Sequence, residues 1–280
     1  MKIRIFREDL NDCSEYVILK DDKDFHYLIN VLKVKNDESV FIFSNKIELE
    51  CYVKIEKKSL QLIKIQQVLP TENKEDIASL AFILPVIKGD KMNLIARQIV
   101  EMGFGQIFIA KTEFSQSREQ NYKESKFNSH LKEALEQSEG FYHPTVEREV
   151  CNLYKTIEKL TDYSIVYGGF CEDSIPLVTA RLARDFYNND PRNNVTSERE
   201  NDIKNGNRYD VNPRMLSLMK SIKNRRKVAV LIGPEGGLSP REEEFLSSMD
   251  NCFPVNLGMR KLRCETASVC LMQLAKTLIL

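Results

Sequence analysis

Val228-Ala229-Val230-Leu231-Ile232-Gly233-Pro234-Glu235-Gly236-Gly237-Leu238-Ser239-Pro240-Arg241-Glu242 is the stretch that decides the fold. A short unbroken apolar run rich in β-branched residues passes into glycines and then into the layout of a helix start. Ser239 stands as N-cap, Pro240 at the first helical position, and Glu242 completes an S-x-x-E capping box. Strand, glycine turn and helix in that order form the repeating unit of a parallel α/β sheet, whose ligands bind at the carboxyl ends of strands. The loop is not GxGxxG and lacks the Gly-Lys-Ser/Thr ending of a phosphate loop. Taken alone, it reads equally well as a tight turn that needs glycine for its dihedrals.

Outward from this segment the same alternation recurs. An apolar run at 80–87 precedes Met92, Ile95, Ile99 and Met102, one face of a helix that ends at Gly103. Further strands are expected at 107–110, 163–167 and 253–257, and helices near 125–138, near 175–186, after Ser239 and at the C-terminal end. Continuous apolar strands between helices imply a parallel sheet covered on both faces. Residues 188–212 break the pattern: eight asparagines with two valines and one isoleucine offer too little apolar surface to offset ordering, so a flexible surface insertion is expected there.

The first 69 residues read differently. Ile3, Ile5 and Phe6, the run 40–43, and the alternating Ile47, Leu49, Cys51, Val53 and Ile55 give period-two strands, followed by another at 60–65. A small antiparallel barrel with one helical piece at 24–34 is expected. The polar, proline-led stretch 70–78 reads as a linker, leaving 79–280 as the second domain.

Composition sets limits. Lysine plus arginine equals aspartate plus glutamate at 41 each, so any nucleic-acid surface has to be local. Seven cysteines without a CxxC pair and three histidines that do not cluster with them argue against zinc and against a disulfide framework, and no metal is expected. The amino-terminal MKIRIFREDL lacks the basic-then-apolar layout of a signal peptide, so a cytosolic protein is expected.

A second glycine loop follows, Asn256-Leu257-Gly258-Met259-Arg260-Lys261-Leu262-Arg263-Cys264-Glu265-Thr266-Ala267. Three basic side chains within four residues, directly before an apolar helix, oppose the positive end of the helix dipole and suggest a task such as holding phosphate, where a merely solvated loop is the bland alternative.

The pair GPEGGLSPREEE and NLGMRKLRCETA resembles the signature of the ribosomal RNA small subunit methyltransferase E family, of the SPOUT class. The likeness extends to Lys88-Gly89-Asp90-Lys91-Met92, Glu101-Met102-Gly103, Glu136-Gln137-Ser138 and His26-Tyr27-Leu28-Ile29-Asn30-Val31-Leu32-Lys33. The resemblance implies a PUA-like RNA-binding β-barrel over 1–69 and a SPOUT methyltransferase domain over 79–280, with a C-terminal trefoil knot that sequence physics alone would not propose. It also implies a homodimer that transfers a methyl group from S-adenosylmethionine to N3 of a uridine in the decoding region of 16S rRNA within the small ribosomal subunit.

By that family pattern, Ile232, Gly233, Glu235, Gly236, Leu257, Gly258, Leu262 and Gly168 border the cofactor, and Thr266 adds a hydroxyl. Transfer to the imide nitrogen needs alignment and dispersal of charge, for which Arg263 is the candidate to hold phosphate or polarise a uracil oxygen. Glu265 is a second candidate, with a helix N-terminal partner as its structural alternative. Because uracil N3 faces its pairing partner in a duplex, the target base has to be unpaired or flipped. Arg4, Arg7 and Lys33 of the barrel, with Arg97 and Glu101 of the first helix, are the candidate RNA contacts.

Two positions depart from the family pattern. Thr112-Glu113-Phe114-Ser115 stands where serine–glutamate–arginine is usual, and Gly140 replaces an arginine after Glu136-Gln137-Ser138, which unsettles the RNA contacts but not the glycine loops. Rival readings are a SPOUT enzyme with another target, a non-catalytic ribosome-assembly factor, and a flavodoxin-like nucleotide binder, the last of which calls for phosphate-binding residues that are missing.

Overall fold

The computed structural model describes residues 2–10, 15–56, 59–69, 72–87, 90–115, 124–147, 149–168, 175–176, 213–258 and 260–279. The expected insertion at 188–212 and most of the helix expected near 175–186 lie outside them.

The first unit is a curled five-stranded sheet of β1 (Arg4–Phe6), β2 (Tyr16–Leu19), β3 (Ser39–Phe43), β4 (Glu48–Glu56) and β5 (Ser59–Val68), in the order β1-β3-β4-β5-β2. Inward residues Leu49, Cys51 and Val53 alternate with more exposed ones, as the period-two pattern requires, and pack with Ile5, Ile42, Leu60 and Leu62 into one core. The expectation of a purely antiparallel barrel fails at one seam, because β1 pairs β3 in parallel. Strand β2 was not anticipated. Tyr16 and Ile18 on its outer face are exposed, so its apolar run lacks the usual in–out contrast. The helical piece expected at 24–34 is α1 (Lys23–His26) continued by a π-helix (Tyr27–Val31).

A short helix α2 (Lys74–Ala78), N-capped by the Asn73 side chain, occupies most of the stretch expected to be a linker. It leads into β6 (Leu80–Pro85), α3 (Asp90–Glu101), β7 (Gln106–Lys111), α4 (Glu124–Gln137), β8 (Thr145–Val146), β9 (Cys151–Asn152), α5 (Leu153–Lys159), β10 (Ser164–Gly168), β11 (Ile175–Pro176), α6 (Pro213–Arg225), β12 (Val228–Leu231), α7 (Pro240–Ser248), β13 (Cys252–Asn256) and α8 (Cys264–Ile279). The eight strands run β11-β13-β10-β12-β6-β7-β8, with β9 also on β7, and every described pairing in this sheet is parallel.

Both faces of this sheet are buried, which explains the unbroken apolar strands. Phe82, Leu84, Val228 and Val230 point to a core covered by α3, α4, α6 and α8, whereas Ala81, Ile83, Ala229 and Leu231 point to one covered by α5 and α7. On α3, Met92, Ile95, Ala96, Ile99 and Val100 form the buried stripe.

The two units are joined by specific contacts. Arg4 is buried, pairs with Glu48 at 2.9 Å, lies over the Phe43 ring at 4.1 Å and donates to the Gly140 carbonyl at 2.8 Å. The Phe6 amide donates to Glu136 Oε1 at 2.8 Å, and Lys132 reaches Asp24 at 2.7 Å. Burial pushes the Glu136 carboxyl upward, against the Phe6 amide and Lys132. Phe43, a barrel residue, is fully buried in the core of the parallel sheet.

Candidate active site

Three neighbouring strands of the parallel sheet, β13, β10 and β12, end at one place. Register aligns Tyr167 with Leu231 and Gly168 with Val255, so Gly168, the 233–238 loop and the 257–264 loop emerge side by side. Between them lies one cavity of about 790 Å³, within the range that holds a small-molecule ligand.

Local chemistry shapes each loop. Gly237 has φ +80° and its amide donates to the Pro234 carbonyl at 2.8 Å, closing the turn. Ser239 then starts α7 with both arms of the capping box: the Glu242 amide donates to Ser239 Oγ at 3.1 Å and the Ser239 amide donates to Glu242 Oε2 at 2.8 Å. In the second loop Gly258 has φ +116° and its amide donates to Asn256 Oδ1 at 2.8 Å.

Of the residues expected to border a cofactor, Gly168, Ile232, Gly233, Glu235, Gly236, Leu257 and Leu262 line the cavity; Gly258 and Thr266 do not, and Thr266 is exposed on the first turn of α8. Lys91, Leu238, Glu243, Cys264 and Leu271 also line it and were not assigned from sequence. Lys91 stood in a quoted motif, but nothing in its neighbours shows that α3 begins beside the 233–237 turn.

Lys91 Nζ and Glu235 Oε1 are 2.9 Å apart. Burial works to raise the Glu235 carboxyl, but the Lys91 ammonium and a backbone amide outweigh it and hold it below the usual glutamate range. The same contact raises Lys91. Burial, then the hydrogen bond to Glu265, pushes the Cys264 thiol up to about 11.

A family model described as RNA methyltransferase domain matches residues 73–184 and 194–276, and one described as RNA methyltransferase PUA domain matches residues 19–65. The chain belongs to the RNA methyltransferase domain family. It is 26% identical over 260 residues to "Ribosomal RNA small subunit methyltransferase E 2" of Borreliella burgdorferi, covering 91% of this chain and 89% of that protein. A "Ribosomal RNA small subunit methyltransferase E" of Rickettsia conorii is 24% identical, covering 90% and 85%. Among solved structures, the fold resembles a ribosomal RNA small subunit methyltransferase E from Neisseria gonorrhoeae bound to S-adenosyl methionine, with TM-score 0.69, 18% identity and coverage of 97% and 96%. A Legionella pneumophila protein described as a methyltransferase in complex with the bound cofactor SAM gives TM-score 0.70, 19% identity and coverage of 99% and 97%.

Within this methyltransferase-family domain the remaining candidates separate sharply. Arg263 lines the cavity and is exposed, as do Arg260 and Lys261, so the basic cluster stands at its edge. Glu265 is not in the wall. It accepts from Cys264 Sγ at 3.2 Å, and its own backbone amide and that thiol keep its carboxyl below the usual range, so its surroundings match the helix-start alternative.

Both barrel arginines are engaged by the protein's own carboxylates. Arg4 is consumed by Glu48 and two carbonyls inside the protein, which corrects its assignment as a surface contact. Arg7 is shared among Asp9, Asp22 and Asp24 at 3.0, 2.7 and 3.3 Å, and the hydrogen bond to Asp9, foremost, raises its pKa further. Three carboxylates leave no net positive charge there for a phosphate. Lys33 is exposed. Arg97 binds Glu133 and His130 on α4, and neither it nor Glu101 lines the cavity.

Proposed function

We propose that this chain transfers a methyl group from S-adenosylmethionine to N3 of a uridine in the decoding region of 16S rRNA, acting in the cytoplasm as a homodimer whose catalytic domain carries a trefoil knot. The observation that carries the reading is the cavity between the carboxyl ends of β10, β12 and β13, in a chain of the RNA methyltransferase domain family. The names of the Borreliella and Rickettsia relatives support the ribosomal substrate, and the two structures bound to the methyl donor support the cofactor.

The residues present fit that donor. Ile232, Leu257 and Leu262 offer apolar walls for an adenine, and the bare backbone at Gly168, where even an added Cβ would stay 3.8 Å from Leu257 Cδ1, admits close approach. When bound, the donor supplies a methyl group activated by its sulfonium. This chain's residues do the rest: the glycine loops orient the ligand, and Arg263 at the edge holds a phosphate or draws negative charge onto a uracil oxygen as the imide proton passes to solvent water. Arg260 and Lys261 add local positive charge in a chain of zero net charge.

Two measurements test the reading. Titration calorimetry of the purified protein with S-adenosylmethionine should show binding, and RNA from a strain lacking the gene should lose N3-methyluridine from the small subunit. An intact mark, with a different methylated nucleotide missing, overturns the target; a folded protein without affinity for the donor overturns the enzyme.

A further inference from the structure

Phe114 is an exposed aromatic ring held rigidly beside the cavity. The residue is 44% accessible, and among the described residues of the parallel-sheet unit it is the exposed aromatic; the other large exposed apolar residues there are Leu94 and Val269. A single exposed apolar side chain is ordinary in itself; what distinguishes this one is the place at which the surrounding backbone holds it.

Hydrogen bonds on both sides of Phe114 fix the loop. Glu113 donates its amide to Glu242 Oε1 at 2.9 Å, and the Glu242 carboxylate is fully buried, its other oxygen taken by the Ser239 amide. The Thr112 amide donates to Ser115 Oγ at 3.1 Å, the two hydroxyls are 2.8 Å apart, and the Ser115 amide donates back to the Thr112 carbonyl at 3.0 Å. Tyr154 donates its hydroxyl to Glu113 Oε1 at 2.9 Å. One carboxylate, Glu242, therefore fastens the loop after β7 to the start of α7, directly beyond the cavity's glycine turn.

The result is contact between Phe114 and the cavity wall. A Cβ at Gly236 would come within 3.1 Å of Phe114 Cβ and 3.6 Å of its ring, and Gly236 itself lines the cavity. A flat, pre-ordered, sequence-tolerant hydrocarbon face beside a cavity edged by Arg260, Lys261 and Arg263 has the two elements by which proteins hold unpaired nucleic acid, a stacking surface and a basic track.

We propose that Phe114 is the platform on which an unpaired base of the RNA strand stacks at the mouth of the cavity, and that Glu242 is the positioning residue that holds it there. The inference rests on the reading of this chain as an RNA methyltransferase and adds a substrate contact made by a residue where a basic one is usual.

The chain contains no tryptophan, so Phe114→Trp gives a single-tryptophan protein. Its fluorescence should be quenched by a single-stranded oligouridylate and much less by the same oligomer with abasic sites. In methyl transfer to purified small subunits, Phe114→Ala should raise the RNA KM about tenfold, the scale of losing one stacked base. Its affinity for S-adenosylmethionine should stay unchanged, and Phe114→Tyr should restore the KM. Absence of quenching at saturating oligomer, or an unchanged RNA KM in Phe114→Ala, overturns the platform. Quenching in a protein that transfers no methyl group keeps the platform and overturns the enzymatic reading instead.

Discussion

Lys91 Nζ, on the first turn of α3, contacts Glu235 Oε1 of the glycine turn at 2.9 Å, bridging 144 residues of sequence across the edge of the cavity. Both side chains remain partly exposed, so salt screens the pair and its contribution is modest. Its pH window follows from the two shifts. Glu235 is held below 4.5, so its contribution is complete above 4.5 and disappears as pH falls through the lower folded value; Lys91 is held above 10.5, so its part persists until pH rises through that higher value. At low salt, Lys91→Met should therefore melt below the wild type at pH 7, and the gap should narrow progressively as pH falls below 4.5. A gap that does not narrow on acidification shows that something other than this pair is lost.

Arg4 yields a prediction of opposite kind to the one its sequence position suggests. Removing it leaves Glu48 buried without its cation and the Gly140 carbonyl without a donor, so Arg4→Ala should cost about 3–5 kcal/mol in urea unfolding. Arg4→Met combined with Glu48→Leu should recover much of the loss, because the stranded charge is gone. RNA affinity of the folded double variant should match the wild type; a drop in affinity with full stability would return Arg4 to the RNA surface.

How much was legible in the sequence follows from where each signal resides. The strand, turn and helix around Gly233 are encoded locally, by β-branched residues, glycines and a capping box, and they appear as read. Strand β2 and the parallel β1 and β3 seam were missed because pairing partners come from residues far along the chain. Helix α6 begins at Pro213, directly after the polar 188–212 segment, and its Met215, Leu218, Met219 and Ile222 stripe was overlooked beside that run. The seven cavity residues named in advance lie on loops whose motifs are contiguous. Lys91 and Phe114 reach the site through tertiary packing, and the burial of Arg4 depends on α4, more than 130 residues away.

Glu242 does two tasks with one carboxylate, capping α7 through the Ser239 amide and fastening the Glu113 amide. Glu242→Gln retains one acceptor oxygen but turns an amide donor toward an N–H that needs an acceptor. The loss should be about 1.5–3 kcal/mol, typical of hydrogen bonds to a charged group. Hydrogen exchange at the Glu113 amide should accelerate beyond what the change in global stability explains. Protection equal to the wild type would mean that the loop after β7 is held by the Thr112 and Ser115 turn alone.

Gly236 and Phe114 are close enough to couple energetically. A methyl group at Gly236 would sit 3.1 Å from Phe114 Cβ, tighter than ordinary van der Waals contact, and the Phe114 loop is tied on both sides and has little room to yield. Gly236→Ala should then destabilise by about 1–3 kcal/mol, the range for overpacking a fixed contact. In a Phe114→Gly background the same substitution meets neither that Cβ nor the ring, and most of that penalty should vanish, giving a double-mutant interaction well above the ~0.5 kcal/mol scatter of independent sites. Additive effects across the four proteins would show that glycine is required at 236 by its ligand or by its backbone, and not by the aromatic ring that leans on it.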